Sequence, residues 1–168
     1  TAIRIEGPGV SVDHRCKTLK ELLGRYGDLE ELHSINSQVF WREIRDVHTL
    51  LPDQTLALWR ISLVPSHGPS ILDRIAKIVP VEVLVDWAGG LLWLAIPQGD
   101  DAGAEIVRSC VGENGHALLV RAPETLRSKV PVFHPQTSGV ASLTRRIKMA
   151  FDPLGIMNPD RMYSDNAK

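Results

Sequence analysis

The stretch VEVLVDWAGGLLWLAI, from Val81 to Ile96, decides the fold that the sequence predicts. Two runs rich in strand-forming residues lie on either side of Ala88-Gly89-Gly90. Glycine adopts the positive φ angles of a tight hairpin turn without steric cost. We therefore predict a β-hairpin with strands over Val81–Trp87 and Leu91–Ile96.

The segments on either side of this hairpin complete an α+β pattern. Apolar periodicity predicts a strand over Leu56–Leu63, a helix over Pro69–Ile78, a helix over Asp101–Val111 and a strand over Ala117–Arg121. The order β-α-β-β-α-β is that of a ferredoxin-like antiparallel sheet with helices on one face. The other face of the sheet is left for a partner.

The first fifty residues predict a strand over Ala2–Glu6, a helix that begins near Ser11 and a helix over Gln38–Leu50. We expect the leading strand and helix to extend the sheet. Because the chain opens on Thr1 in a strand-like run, we expect it to be an excised piece of a longer protein. A single domain is predicted over 1–168, with a core sandwich at about 1–121, a connection at 122–139, and a helix and docking tail at 140–168.

The composition excludes several classes of protein. The chain has 168 residues, of which 43% are hydrophobic, and its formal net charge is −1. A near-neutral chain lacks the basic surface of a nucleic-acid-binding protein, and no apolar run is long enough to span a membrane. Two distant cysteines and six scattered histidines predict no metal site. Reduced cysteines suit a cytoplasmic protein.

Strand alternation sorts the sheet residues into two faces. Trp59 and its alternate neighbours suit the helix-covered core, as do Val81, Val83, Val85 and Trp87, whereas Arg60, Ser62 and Asp86 face the other way. One interpretation is a solvated face on which Arg60 and Asp86 form a cross-strand pair. The other is a docking face on which Arg60 recognises a carboxylate bidentately.

His116 opens the last strand, where a general base can lie. No serine, cysteine or carboxylate is obviously aimed at it in the sequence, which favours a structural role over that of a general base. The chain contains neither a G-x-G-x-x-G motif nor a P-loop, and we predict no self-contained active site and no catalytic residue.

The C-terminal part predicts an amphipathic helix over Ser142–Phe151 with Leu143, Ile147 and Ala150 inward. An extended segment rich in proline follows it. We expect Phe151, Ile156 and Met157 to anchor this tail on the sheet or on the helix, because each burial of a large apolar side chain stabilises the fold by about 1.5–3 kcal/mol.

The tail sequence RIKMAFDPLGIMNPDRMY, from Arg146 to Tyr163, resembles the closing signature of FAD-linked oxidases of the vanillyl-alcohol oxidase type. Three further segments are similar to one branch of that family, the FAD-binding subunit of bacterial glycolate oxidases: LWRISL at Leu58–Leu63, VDWAGGLLW at Val85–Trp93, and GHA at Gly115–Ala117. Asp160 departs from the family pattern, which has glycine there.

The resemblance implies the C-terminal cap domain of a flavoprotein that oxidises a small 2-hydroxy acid, glycolate to glyoxylate. It implies FAD as cofactor, bound mainly by an upstream domain outside this chain. Its partners would be a sister flavin subunit and the iron-sulfur subunit of the oxidase, and it would lie in the cytoplasm or at the inner membrane through those partners. It places Asn158 and Arg161 on the cofactor side, and Arg60, Asp86 and His116 toward the substrate. The alternative is a stand-alone ferredoxin-like module that binds a ligand or a protein without catalysis.

Overall fold

The computed structural model describes residues 1–159 and 162–163. The chain divides into two units, Thr1–Arg42 and Glu43–Lys168. The first contains the helix α1 at Gly9–Leu23 and most of α2 at Ser34–Arg45. The prediction of a single domain over 1–168 stays a prediction.

The second unit contains the sheet and four more helices. In chain order its elements are β1 at Leu56–Leu63, α3 at Gly68–Ala76, β2 at Glu82–Asp86, β3 at Leu91–Pro97, α4 at Ala104–Val111, β4 at Gly115–Arg121, α5 at Glu124–Arg127 and α6 at Ser138–Phe151.

The four strands form one antiparallel sheet in the order β2-β3-β1-β4. With α3 between β1 and β2 and α4 between β3 and β4, the connectivity is the predicted β-α-β-β-α-β. The α+β prediction is confirmed. Because β1 pairs with both β3 and β4, it lies in the interior of the sheet.

The main core lies between the sheet and the helices α3 and α4. Trp59 and Ile61 from β1 are fully buried there with Leu94 from β3. The helices contribute residues that include Ile75 and Val107. The predicted core face of β1 is therefore confirmed. The indole N–H of Trp59 donates a hydrogen bond of 2.8 Å to the carbonyl of Ala102, so its one polar atom is satisfied in the core.

The predicted strand over Ala2–Glu6 and its extension of the sheet are wrong. These residues have no regular secondary structure, and Arg4 forms an ion pair with Glu6 instead. Alternation of Ile3 and Ile5 specifies a strand only where a neighbouring strand accepts its backbone hydrogen bonds, and the sheet has no strand from this segment.

The predicted core face of β2 is only partly correct. Val81 packs against the core, but Val83, Val85 and Trp87 are exposed to 39%, 49% and 64%. The physical reason is the position of β2 at the edge of the sheet, where only one side of each side chain has a neighbouring strand to pack on.

The predicted inward face of α6 and the predicted anchors of the tail are also wrong. Leu143 and Ile147 are about half exposed, and Phe151, Ile156 and Met157 are mostly exposed. Periodicity identifies the apolar face of a helix without showing what covers it. The helix forms where it was predicted, but its apolar face is not buried within the described residues.

We expect Trp59→Phe to destabilise the second unit by about 1–3 kcal/mol, because the buried carbonyl of Ala102 loses its donor. Trp59→Ala is expected to cost about 3–5 kcal/mol, because it also leaves a cavity. Urea denaturation measures both, with Trp41→Phe in the first unit as the control. Equal midpoints for Trp59→Phe and the unsubstituted chain would contradict this account of the core.

Candidate functional site

The second face of the sheet, which α3 and α4 do not cover, carries two rows of paired residues. Strand register places Leu84, Trp93, Arg60 and Leu118 in one row and Asp86, Leu91, Ser62 and His116 in the next. Side chains of residues paired across neighbouring strands lie on the same face. We call this surface the open face. The structure thus brings the three residues predicted to face the substrate, Arg60, Asp86 and His116, onto one surface.

The far end of the open face is covered by the segment that follows α2. Val47 and Leu50 are buried there against Leu58 and Ala95. The predicted helix over Gln38–Leu50 ends early, at Arg45, because Val47 adopts a left-handed φ of 54°. This break lets the segment turn onto the sheet, and it leaves the part of the face around Arg60 uncovered by it.

Arg60 lies beside two indole rings. Its guanidinium carbon is 6.0 Å from the ring centre of Trp87 and 5.9 Å from that of Trp93. Both distances lie at the outer limit, about 6 Å, for attraction between a cation and an aromatic ring. Among the described residues, no carboxylate pairs with Arg60 and no acceptor takes a hydrogen bond from it. The N–H donors of this half-buried guanidinium therefore have no protein acceptor in the described part of the chain.

Trp87 lies in the turn between β2 and β3, where the predicted hairpin is confirmed. Three successive residues have positive φ: Trp87 at 52°, Ala88 at 53° and Gly89 at 97°. A bulky residue in the left-handed region is unusual, and such backbone strain persists only where the surroundings hold it. Here the carbonyl of Gly90 accepts a hydrogen bond of 3.0 Å from Leu63 N–H.

Asp86 stabilises the same turn and does not pair with Arg60. Its Oδ1 accepts a hydrogen bond of 2.7 Å from the backbone N–H of Trp87. The interpretation of a cross-strand Arg60–Asp86 pair is wrong, because β3 lies between β1 and β2. The carboxylate instead fixes the first residue of the turn that carries the exposed indole.

His116 lies at the other corner of the open face, beside the connection that follows α5. Its ring is 5.7 Å from that of His134 and 6.5 Å from that of Phe133. The side chain is exposed, and no carboxylate of the described residues pairs with it. His116 is therefore accessible to solvent at the edge of the surface that carries Arg60.

His134 fastens this connection to β4, a role that sequence reasoning missed. Its Nδ1 accepts a bond of 3.4 Å from Ala117 N–H, and its Nε2 is 3.1 Å from the carbonyl of Gly112. This pair of contacts requires a neutral ring with the proton on Nε2. Burial lowers the pKa of His134, and the nearby His116 and Arg108 lower it further, against the hydrogen bond to Gly112.

Two arginines also hold loops around the sheet. Nothing in the sequence near either residue predicted this role. Arg108 on α4 donates to the carbonyls of Pro131 and Phe133 and lies 5.4 Å from the ring centre of Trp59. Arg121 at the end of β4 donates to backbone carbonyls of the loop before β1, including those of Leu51 and Asp53 at 2.9 and 2.7 Å. Each guanidinium therefore holds a loop against the element that carries the arginine.

The tail after α6 is organised by Asp152, which sequence reasoning also missed. Its carboxylate is buried and accepts hydrogen bonds from the N–H groups of Ile156 and Met157 at 3.0 and 2.9 Å. Lys148 forms an ion pair with it at 3.0 Å. The bond from Met157 N–H, followed by the Lys148 ammonium, lowers the pKa of Asp152 below its usual value.

Asn158 and Arg161 are the two residues predicted on the cofactor side. Asn158 is exposed directly after the Asp152 turn and has a left-handed φ of 45°. Arg161 and Asp160 lie outside the described residues.

Within residues 1–159 and 162–163, no group of three or more His, Cys, Asp or Glu side chains is arranged to hold a metal ion. No helix in that part of the chain has the length and apolar character to cross a membrane.

The His134 contacts predict a pH dependence of stability. Because its pKa is lower in the folded than in the unfolded state, the unfolded state binds more protons just below the usual value of 6.5. The stability that neutral His134 contributes is therefore present above that pH and is lost as the pH falls through the folded pKa. Urea midpoints between about pH 7.5 and pH 5 should fall less for His134→Gln than for the unsubstituted chain. The exposed His67→Gln is the control, and an identical pH dependence in all three proteins would refute the role of His134.

The Asp152 contacts predict local order in the tail. Asp152→Ala removes the acceptor of the Ile156 and Met157 amides, so their hydrogen exchange should accelerate while the amides of β1 keep their protection. Asp73→Ala, an exposed substitution on α3, should leave the tail unchanged. Unaltered exchange at Ile156 and Met157 in Asp152→Ala would contradict this account of the turn.

Comparison with known proteins supports the resemblance found in the sequence. The chain is 32% identical over 163 residues to "Glycolate oxidase subunit GlcE" of Escherichia coli (strain K12). The match covers 97% of this chain and 39% of that protein, so the chain spans about two fifths of the length of the curated relative. No protein-family signature and no solved structure matches the chain significantly. The predicted resemblance is thereby confirmed: the chain is a relative of the C-terminal part of glycolate oxidase subunit GlcE.

Proposed function

We propose that this chain is the C-terminal cap of the FAD-binding subunit of a glycolate oxidase, and that its open face forms one wall of the substrate site. The similarity to GlcE supports the enzyme class. The location of the site rests on the Arg60 guanidinium, which lies about 6 Å from the rings of Trp87 and Trp93 and has no anionic partner among the described residues.

Arg60 is proposed to bind the carboxylate of a small 2-hydroxy acid. A guanidinium offers parallel N–H donors that match the two oxygens of a carboxylate. Because both neighbouring indoles are apolar bodies, they exclude water from one side of the pair and strengthen its electrostatic attraction. Glycolate is the smallest acid of this class, and it suits a site bounded by two large rings.

Asp86 and His116 are proposed to act at the borders of the same site. Asp86 holds the turn that carries Trp87 through its bond to the Trp87 N–H. His116 is exposed on the row next to Arg60, where a neutral imidazole can accept a proton from a substrate hydroxyl. No catalytic residue is assigned, because the described residues place no hydrogen-bonded partner on His116 that would orient it.

The residues of the chain fit one part of FAD. The open face presents Trp87 and Trp93, whose flat apolar rings suit contact with an isoalloxazine ring. The sequence has no glycine-rich G-x-G-x-x-G loop for the pyrophosphate, so that group requires residues beyond this chain. Bound FAD would supply the hydride acceptor for oxidation of the 2-hydroxy acid. Asn158 and Arg161 are proposed to contact the cofactor from the tail.

Partner subunits are part of the same proposal. The relative is named as a subunit of glycolate oxidase, and we propose that this chain likewise assembles with a sister flavin subunit and an iron-sulfur subunit. The exposed apolar side chains of α6 and the tail give such an assembly apolar surface to bury. A cytoplasmic location, with attachment to the inner membrane through the partners, follows from this proposal.

The test is glycolate-dependent dye reduction by the assembled oxidase that carries this sequence. Arg60→Ala should lower kcat/KM for glycolate by about 10- to 100-fold, because a charge-assisted hydrogen bond of about 1.5–3 kcal/mol is lost. Arg60→Lys should retain part of the activity, since an ammonium keeps the charge without the two parallel donors.

Arg127→Ala, an exposed substitution on α5, is the matched control and should keep the full rate. Equal kcat/KM for Arg60→Ala and Arg127→Ala would remove the open face from the substrate site. Saturable binding of glycolate to the chain without any oxidation by the assembled protein would instead favour the ferredoxin-like binding module.

A further inference from the structure

The two indoles next to Arg60 have a role that the core of the domain does not explain. Trp87 is 64% exposed, although a tryptophan in the left-handed region is sterically costly. We infer that Trp87 and Trp93 are positioning residues that hold the Arg60 guanidinium, and that the Trp87 turn makes the site selective for small carboxylates. This inference rests on the proposed function for the identity of the substrate only.

The geometry of the three side chains supports the positioning role. With its carbon about 6 Å from both ring centres, the guanidinium has two aromatic neighbours. Such contacts engage the π-system of the cation and do not use its N–H donors, which lie in the guanidinium plane. The edge of the guanidinium therefore stays available for a carboxylate while its orientation is restricted.

The turn that contains Trp87 is held by close contact between the backbone of Gly89 and the backbone of Pro65 and Gly68. A Cβ at Gly68 would lie 2.5 Å from the carbonyl oxygen of Gly89, and a Cβ at Gly89 would lie 2.8 Å from that of Pro65. Real Cβ atoms do not approach backbone oxygens so closely. Only glycine at these two positions allows the turn to sit against the start of α3. The position of the exposed indole thus depends on a packing contact outside the open face.

Selectivity follows from the placement of this fixed ring beside Arg60. In this proposal, the C2 substituent of a 2-hydroxy acid whose carboxylate binds Arg60 lies beside the exposed Trp87 indole. A hydrogen, as in glycolate, needs no space there, whereas an aromatic substituent, as in mandelate, needs the volume that the Trp87 indole occupies. Removal of that indole should therefore admit larger acids.

The first experiment measures the positioning of Arg60 in the chain itself. The ¹⁵N NMR order parameter of the Arg60 Nε–H bond measures how far its orientation is restricted, and Trp87→Ala should lower it toward the value of an exposed arginine. Titration with glycolate should then show an affinity lower by about 2- to 5-fold, the size of one exposed cation–π contact. Trp93→Phe, which keeps an aromatic ring, should change both quantities less.

The second experiment moves the turn without removing a ring. Gly68→Ala inserts a Cβ against the Gly89 carbonyl, so the Arg60 order parameter should fall as in Trp87→Ala while both indoles remain. Gly139→Ala on α6 is the matched control, because a Cβ there meets nothing within 4 Å. Should Gly68→Ala fail to fold, Trp87→Ala decides the question alone. An unchanged Arg60 order parameter in Trp87→Ala would overturn the positioning role.

The third experiment tests selectivity and separates the two proposals. In the assembled oxidase, the ratio of kcat/KM for mandelate to that for glycolate should rise at least several-fold in Trp87→Ala. An unchanged ratio with normal glycolate oxidation would overturn the inference and leave the proposed function intact. A lower Arg60 order parameter in Trp87→Ala, in a protein that oxidises no 2-hydroxy acid, would support the positioning role and refute the proposed function.

Discussion

The alternation of side chains along β1 is the constraint on which the rest of the structure depends. This strand pairs on both sides, with β3 and with β4, so its register fixes the register of both neighbours. Trp59 and Ile61 face the helices and are fully buried, which leaves Arg60 no position except the opposite face. A shift of one residue would bury the guanidinium in the core and expose the indole. Core packing therefore also places the candidate site.

The open face acquires its shape from segments outside the sheet. Val47 and Leu50 cover one end, the Trp87 turn borders Arg60, and Phe133 lies against His116 at the opposite corner. Each of these segments is held by a polar contact to the domain. Arg121 binds the loop before β1, Asp86 binds the Trp87 N–H, and Arg108 and His134 bind the connection. The candidate site is thus a surface of mixed polarity on which Arg60 has no anionic partner among the described residues.

The sequence allowed the sheet and its two faces to be predicted because both depend on short-range periodicity. The hairpin at Ala88-Gly89-Gly90 and the opposite placement of Trp59 and Arg60 follow from local rules. The exposure of Val83 and Val85 could not be predicted in the same way, since it depends on which strand lies at the edge. For the same reason Ile3 and Ile5 suggested a strand that finds no partner.

The parts of the site that were missed depend on contacts between distant segments. Nothing near His134 in the sequence indicates that its ring will accept a bond from Ala117. Nor does the alternation of β2 indicate that Trp87 leaves the core side and adopts a left-handed φ, because that depends on the Gly68–Gly89 approach. Asp152 is recognisable in the sequence only as part of a family signature, and its role appears once the turn to Met157 is closed. Three-dimensional packing, more than composition, decides these positions.

The most direct measurement is a crystal structure of the assembled oxidase that carries this sequence, with FAD and a 2-hydroxy acid bound. The account predicts that the open face covers the flavin ring, that the acid carboxylate forms a bidentate hydrogen-bonded pair with Arg60, and that the Trp87 indole borders the substrate. A structure in which the flavin and the acid lie away from this face, with Arg60 in solvent or paired with a carboxylate of another subunit, would contradict it.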